Sequence, residues 1–169
     1  MKKAEIWISA VLYMALGVIL LSVILAVGVP AVNKARDKAA ITQTKEVFVK
    51  LDQNIRAVYN EGPGSQRPVQ IEIGRGQFSI DNTNEEISWE LETQSLLSQP
   101  GIPIQEGNLI VLTQETSIKE NYLVILKLNY LSTLDINYLG SGTFTGSRNF
   151  LIQNTGLNTS IPVITITEI

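Results

Sequence analysis

Residues 6–32 read IWISAVLYMALGVILLSVILAVGVPAV, 27 positions from Ile6 to Val32 without one charged side chain. As a helix rising ~1.5 Å per residue, the run would span about 40 Å, and ~20 apolar residues already suffice to cross a bilayer core. Leu, Ile, Val and Ala dominate, with Ser9, Gly17, Ser22 and Gly28 as small breaks. A cleaved secretory signal fits poorly. The run exceeds the ~7–15 residues of a signal h-region, and no small-x-small site ends it. The stretch therefore reads as a membrane-inserted helix.

Helical sequence continues beyond it. Ile41, Phe48, Leu51, Ile55 and Val58 recur at spacings of three, four or seven, while Lys45, Glu46, Lys50, Asp52 and Arg56 lie largely off that stripe. Such a stripe packs against a partner surface, here expected to be the protein's own head. Pro30 has no N–H to offer the carbonyl of Ala26, so a kink or local opening is expected there. Asn60-Glu61-Gly62-Pro63-Gly64 ends the helix. Gly62 or Gly64 can supply a left-handed cap, and Pro63 cannot continue the helix.

From Pro68 the apolar period changes to two. Val69, Ile71 and Ile73 alternate with polar residues, as do Phe78 and Ile80, then Ile87, Trp89 and Leu91. With turns expected at Gly74-Arg75-Gly76 and Asn82-Thr83-Asn84, this reads as a three-stranded meander. Leu109 to Leu112 is a short continuous apolar run. Tyr122 to Tyr130, Leu134 to Tyr138, Phe150 to Ile152 and Ile164 to Ile166 bring the expected count to about eight strands. The expected class is α+β: a long hydrophobic N-terminal helix, then an antiparallel β-sandwich or partly open barrel as head. The expected division is a leader at 1–4, the helix at 5–60, a hinge at 61–67 and the head at 68–169.

Charge divides along the same line. Residues 1–60 carry eight bases and four acids, and the remainder five bases and twelve acids. An acidic head disfavours nucleic acid. The chain has neither Cys nor His, which removes disulfides, the usual zinc ligands, a thiol nucleophile and a Ser-His-Asp triad. Glu85, Glu86, Glu90 and Glu92 read as a solvated sheet face rather than a catalytic or calcium pair. The glycine-rich stretch 140–146 has no Lys and opens no helix, so it reads as a mobile loop and not a phosphate cradle. No catalytic residue, metal or cofactor is expected, and the chain reads as a non-enzyme. One glycosylation sequon occurs at Asn158.

Met1-Lys2-Lys3-Ala4-Glu5-Ile6-Trp7, followed by the apolar helix and a β head, resembles archaeal type IV pilin-like proteins with a class III signal peptide. The resemblance covers the whole layout, while its specific motif is confined to the first few residues. It implies that Lys2 and Lys3 are the basic leader, that Ala4 stands before the cut of a prepilin peptidase, and that Glu5 begins the mature chain. It also implies an assembly machinery and a helical homopolymer, with helices in the core and heads outside. The protein would be membrane-inserted before assembly and a surface filament afterwards. Ala10, Gly17, Ser22, Ala26 and Gly28 would let neighbouring helices approach closely. Bases flanking the apolar run are more numerous after it than before it. Counted alone they place the head on the cytoplasmic side, whereas the resemblance places it outside. The alternative function is a single-pass anchor displaying a binding domain, as an adhesin or minor pilin.

Overall fold

The structure, a computed structural model, describes every residue except Met1, Ser132, Ser141, Thr159 and Ser160; of residues 2–6 and Ile8 it describes the backbone alone. Helix α1 runs Lys2–Glu61. Eight strands follow: β1 Gln66–Asp81, β2 Glu86–Thr93, β3 Ile104–Glu106, β4 Leu109–Glu115, β5 Tyr122–Asn129, β6 Asp135–Leu139, β7 Thr143–Asn158 and β8 Ile161–Glu168. The α+β expectation is met. The chain stays helical on both sides of Pro30. Close packing divides the chain into residues 1–36 and residues 37–169. The second half of α1 is thus an element of the head itself.

Within the head the strands form one sheet in the order β3-β4-β5-β2-β1-β7-β8-β6, antiparallel throughout except for the parallel β6–β8 pair. The sheet curls toward its β6 edge. Asn82, in the β1–β2 turn, accepts from the Tyr138 N–H at 2.9 Å and donates to the Tyr138 carbonyl at 3.2 Å, so that turn touches β6, the far edge strand. Glu85 of the same turn accepts the N–H of Ile136.

The expected stripe becomes the centre of the core. Ile41, Phe48, Leu51, Ile55 and Val58 are all buried against the sheet. From Phe48 a chain of aromatic contacts runs through Phe78 at 5.6 Å, Phe144 at 4.9 Å, Phe150 at 5.5 Å and Tyr138 at 6.2 Å. One helix residue is thereby coupled to β1, β7 and β6. Phe and Leu deletions at such positions remove both transfer energy and packing, since the surroundings collapse only partly.

Two local expectations are corrected. Gly74-Arg75-Gly76 does not reverse the chain. It makes a bulge inside one bent strand, β1, with the register slipping between Ile73 and Phe78. Gly76 has φ +82°, and a Cβ there would meet the Glu90 carbonyl and the Trp89 ring at about 2.5 Å. The Trp89 indole fills this space and donates to the Arg75 carbonyl at 2.9 Å. The bend thus serves to seat a buried tryptophan. The glycine-rich stretch is also not all loop: residues 143–146 belong to β7 and pair with β1, because Phe144 is drawn into the core.

The helix end is tied down. Gly62 and Gly64 adopt φ +89° and +91°. Ser65 Oγ donates to the carbonyls of Val58 and Gly62 at 2.7 and 2.8 Å. Asn154, buried in β7, donates its side chain to the Val58 carbonyl at 3.3 Å and pairs its backbone with Gly64 and Ser65. These bonds satisfy carbonyls that a helix C-terminus leaves orphaned.

Candidate membrane and assembly surface

Among the described side chains of residues 7–36 the outstanding feature is exposed apolar surface. Trp7, Val11, Leu12, Leu16, Ile19, Leu20, Val23 and Val27 are all more than half exposed. The best 18-residue window of the helix has mean hydropathy 2.8 and none of it is buried. A helix hydrophobic all round belongs in lipid or in a protein interior. This one is long and apolar enough to cross a membrane. Backbone hydrogen bonding inside the helix meets the demand that hydrocarbon makes on polar groups. Ser22 conforms to the same rule, its hydroxyl donating to the Val18 carbonyl at 2.8 Å.

The small residues lie on this surface. Ala10, Gly17, Ser22 and Ala26 are exposed, and Gly28 is half-buried. A Cβ added at Gly17 or Gly28 would meet nothing within 4 Å. Among the described residues no contact therefore requires glycine at either position, although glycine weakens a helix by about 1 kcal/mol relative to alanine. Around Gly28, the side chains of Ile24, Leu25, Val29 and Val32 border a shallow groove. Pro30 is exposed beside it. The side chains of Lys3, Ala4 and Glu5, named for processing, lie outside the described residues.

The four head glutamates do not form a pair. Glu85 bonds Ile136, Glu86 pairs with Lys127 at 2.9 Å, and Glu90 and Glu92 stand exposed on the outer sheet face. Among the described residues no group of three or more acidic, His or Cys side chains is placed to hold a metal ion. Asn158 is exposed on the β7–β8 hairpin and donates to Asp135 at 3.4 Å. The rest of its sequon, Thr159 and Ser160, lies outside the described residues.

Polar groups that hold α1 on the sheet escaped the sequence pattern. Asp37 is buried, accepts from Thr93 Oγ1 at 2.8 Å and pairs with Arg75. Asp52 accepts from Tyr130 at 2.8 Å, from Asn108 at 3.0 Å and from Arg56 at 2.9 Å. Burial pushes the Tyr130 phenol far above its ordinary range, and the neighbouring Asp52 charge adds to the shift. It is therefore a permanent donor. Lys45 bonds Glu106 at 2.6 Å, so the helix is also fastened to the β3 edge. Asp37 carried a usable signal, since it falls four residues before Ile41 on the apolar stripe.

No protein-family model, curated protein or solved structure matches this chain.

Proposed function

We propose that this protein is the structural subunit of a pilus-like filament at the cell surface, with residues 6–32 bundling in the core and the β heads outside. The observation that carries the reading is the exposed apolar helix joined to a head whose own core is complete. Lipid can cover such a helix before assembly, and identical helices can cover it afterwards. Glycines at positions 17 and 28 that nothing among the described residues requires fit close helix approach. The basic first residues and the order of helix and head support the same reading through the pilin resemblance. That resemblance also brings the leader cut after Ala4, the prepilin peptidase and the assembly machinery. Asn158, exposed on a hairpin, fits a glycosylation site on an outward-facing head.

The test is Ile19→Arg, at the centre of the uncharged run. In a bilayer alone the arginine can snorkel, at about 2.5–3.5 kcal/mol. In a bundle the buried charge repeats at every subunit without water to reach. Ile19→Arg is expected to reach the membrane fraction yet yield no filaments by negative-stain microscopy. Glu90→Gln should leave filaments intact. In the same cells Leu157→Cys should react with an impermeant maleimide, as an external head requires. Normal filaments from Ile19→Arg would reject a helix-bundle core. They would favour the second reading, a single-pass anchor that displays the head as an adhesin or minor pilin.

A further inference from the structure

A second apolar surface lies on the head, at the end where the chain enters it. Thr93, the last residue of β2, bonds Asp37 and pairs across the sheet with Tyr122, the first of β5. Tyr122 in turn pairs with Glu115, the last of β4. Asp37, the β2–β3 loop and the β4–β5 turn therefore share one end of the head. Exposed there are Leu96 at 57%, Leu97 at 39% and Ile118 at 63%. The loop that carries the leucines is fastened. The Ser95 N–H donates to Thr93 Oγ1 at 3.0 Å, Ser98 Oγ bonds Thr113 Oγ1 at 2.7 Å, and the Gly101 N–H donates to the Thr113 carbonyl at 2.8 Å. Exposed aliphatic side chains brought to one end of the head on a tied backbone suit an interaction surface.

We infer that this rim docks on a lipid bilayer, with Leu96, Leu97 and Ile118 entering the headgroup–acyl boundary while the helix is inserted. The inference rests on the membrane-inserted part of the function proposed above and adds a second membrane contact to it. The tether selects the occupant. Five positions separate Val32, the end of the uncharged run, from Asp37, and even fully extended they reach at most about 18 Å. Whatever path the chain takes, this end of the head is held close to the surface from which the helix emerges. Lys34, Arg36 and Lys38 lie in or beside the tether, where anionic headgroups attract them. At the same end Glu92, Glu115 and Glu120 outnumber Lys119 and oppose anionic lipid, so the rim's own contribution is apolar and the electrostatic attraction comes chiefly from the tether.

The chain contains no cysteine, so single-cysteine variants of the full chain can each carry one environment-sensitive fluorophore. Leu97→Cys, Ile118→Cys, Ile19→Cys and Leu157→Cys would be placed in phosphatidylcholine–phosphatidylglycerol liposomes. Each would be read against nitroxide lipids quenching near the headgroups or at the chain centre. The expected result is loss of emission at positions 97 and 118 with the shallow quencher, at depths of about 5–10 Å. Position 19 should be quenched by the deep one and position 157 by neither. Quenching at 19 but not at 97 and 118 overturns the docking while leaving insertion standing. Quenching at none of the four overturns both. Protection of 97 and 118 only when filaments form, without lipid quenching, overturns docking and assigns the rim to a second copy.

Discussion

The two halves of α1 solve one problem in opposite ways. Residues 37–61 gather their apolar side chains into a stripe and bury it: Phe48, Ile55 and Val58 are fully covered, and charged neighbours such as Asp52 and Lys45 fasten the flanks. Residues 7–32 distribute theirs round the whole helix and bury almost none. A stripe can be satisfied by one sheet. A helix apolar on every face needs an environment apolar on every side. Substitutions in the second half should therefore be felt by the isolated chain. Those in the first half should be felt only through what surrounds it.

The sharpest separation is Phe48→Ala against Leu20→Ala. The first removes a ring at the head of the aromatic chain and should destabilise the head by about 3–5 kcal/mol. The second, at a position 55% exposed, should leave head unfolding within about 0.5 kcal/mol. Urea denaturation of the full chain in detergent micelles, followed by near-ultraviolet circular dichroism, checks both. An equal loss from Leu20→Ala would break the comparison. Next in size is Asp37→Ala, which leaves the Thr93 hydroxyl and Arg75 without their acceptor. Arg75 is 45% exposed and regains water, so the expected loss is about 1–3 kcal/mol by the same assay.

Gly17→Ala tests the first half from the other side. Its methyl meets nothing among the described residues, and intrinsic propensity favours the helix by about 1 kcal/mol. Under the proposed helix bundle, filaments carrying it should nevertheless dissociate at a lower temperature, because the added methyl would push neighbouring helices apart. Filaments that become more heat-stable would remove this face from the interface.

The smallest expected effect is a pH dependence in the head. Burial raises the Glu85 carboxyl above its ordinary value, opposed by the Ile136 N–H and reinforced by the charges of Asp135 and Asp81. A raised acid binds its proton more tightly folded than unfolded, so the head loses stability as pH rises from about 4.5 through the folded value. Asp81 has the opposite sign. Its bonds to Asn84 and Thr83 lower it, and its contribution fades as pH falls below about 3.8. Glu85→Gln should flatten the thermal-midpoint profile in the upper window and leave the lower one unchanged. An unchanged slope above pH 4.5 would clear Glu85 of the effect.

Much of this architecture was legible from periodicity. The uncharged run, the stripe from Ile41 to Val58 and the alternation around Trp89 each mark their element, because burial imposes a period that survives in the residue order. What escaped depends on partners distant in sequence. Gly74-Arg75-Gly76 looks like a turn until Trp89 is seen lying over Gly76. The residues around Phe144 look like a loop until β1 is placed beside them. Asp52 looks like a solvated helix charge, and only the fold brings it Tyr130, 78 positions away. For the apolar half the pattern carries the surface but not its neighbour, since lipid and a sister helix ask for the same side chains.

The way β6 ends the sheet has a consequence for crowding. Subunits strung along a fibre would hold their heads at an effective concentration on the order of millimolar, where bare strand edges zip together. Asn82 and Glu85 occupy the free backbone groups of Tyr138 and Ile136, and the opposite edge, β3, is only three residues long, with Glu106 held by Lys45. Neither margin offers a long template for a neighbour's strand. Heads built this way can stand shoulder to shoulder without fusing, and under the proposed assembly that would leave polymer growth to the helices.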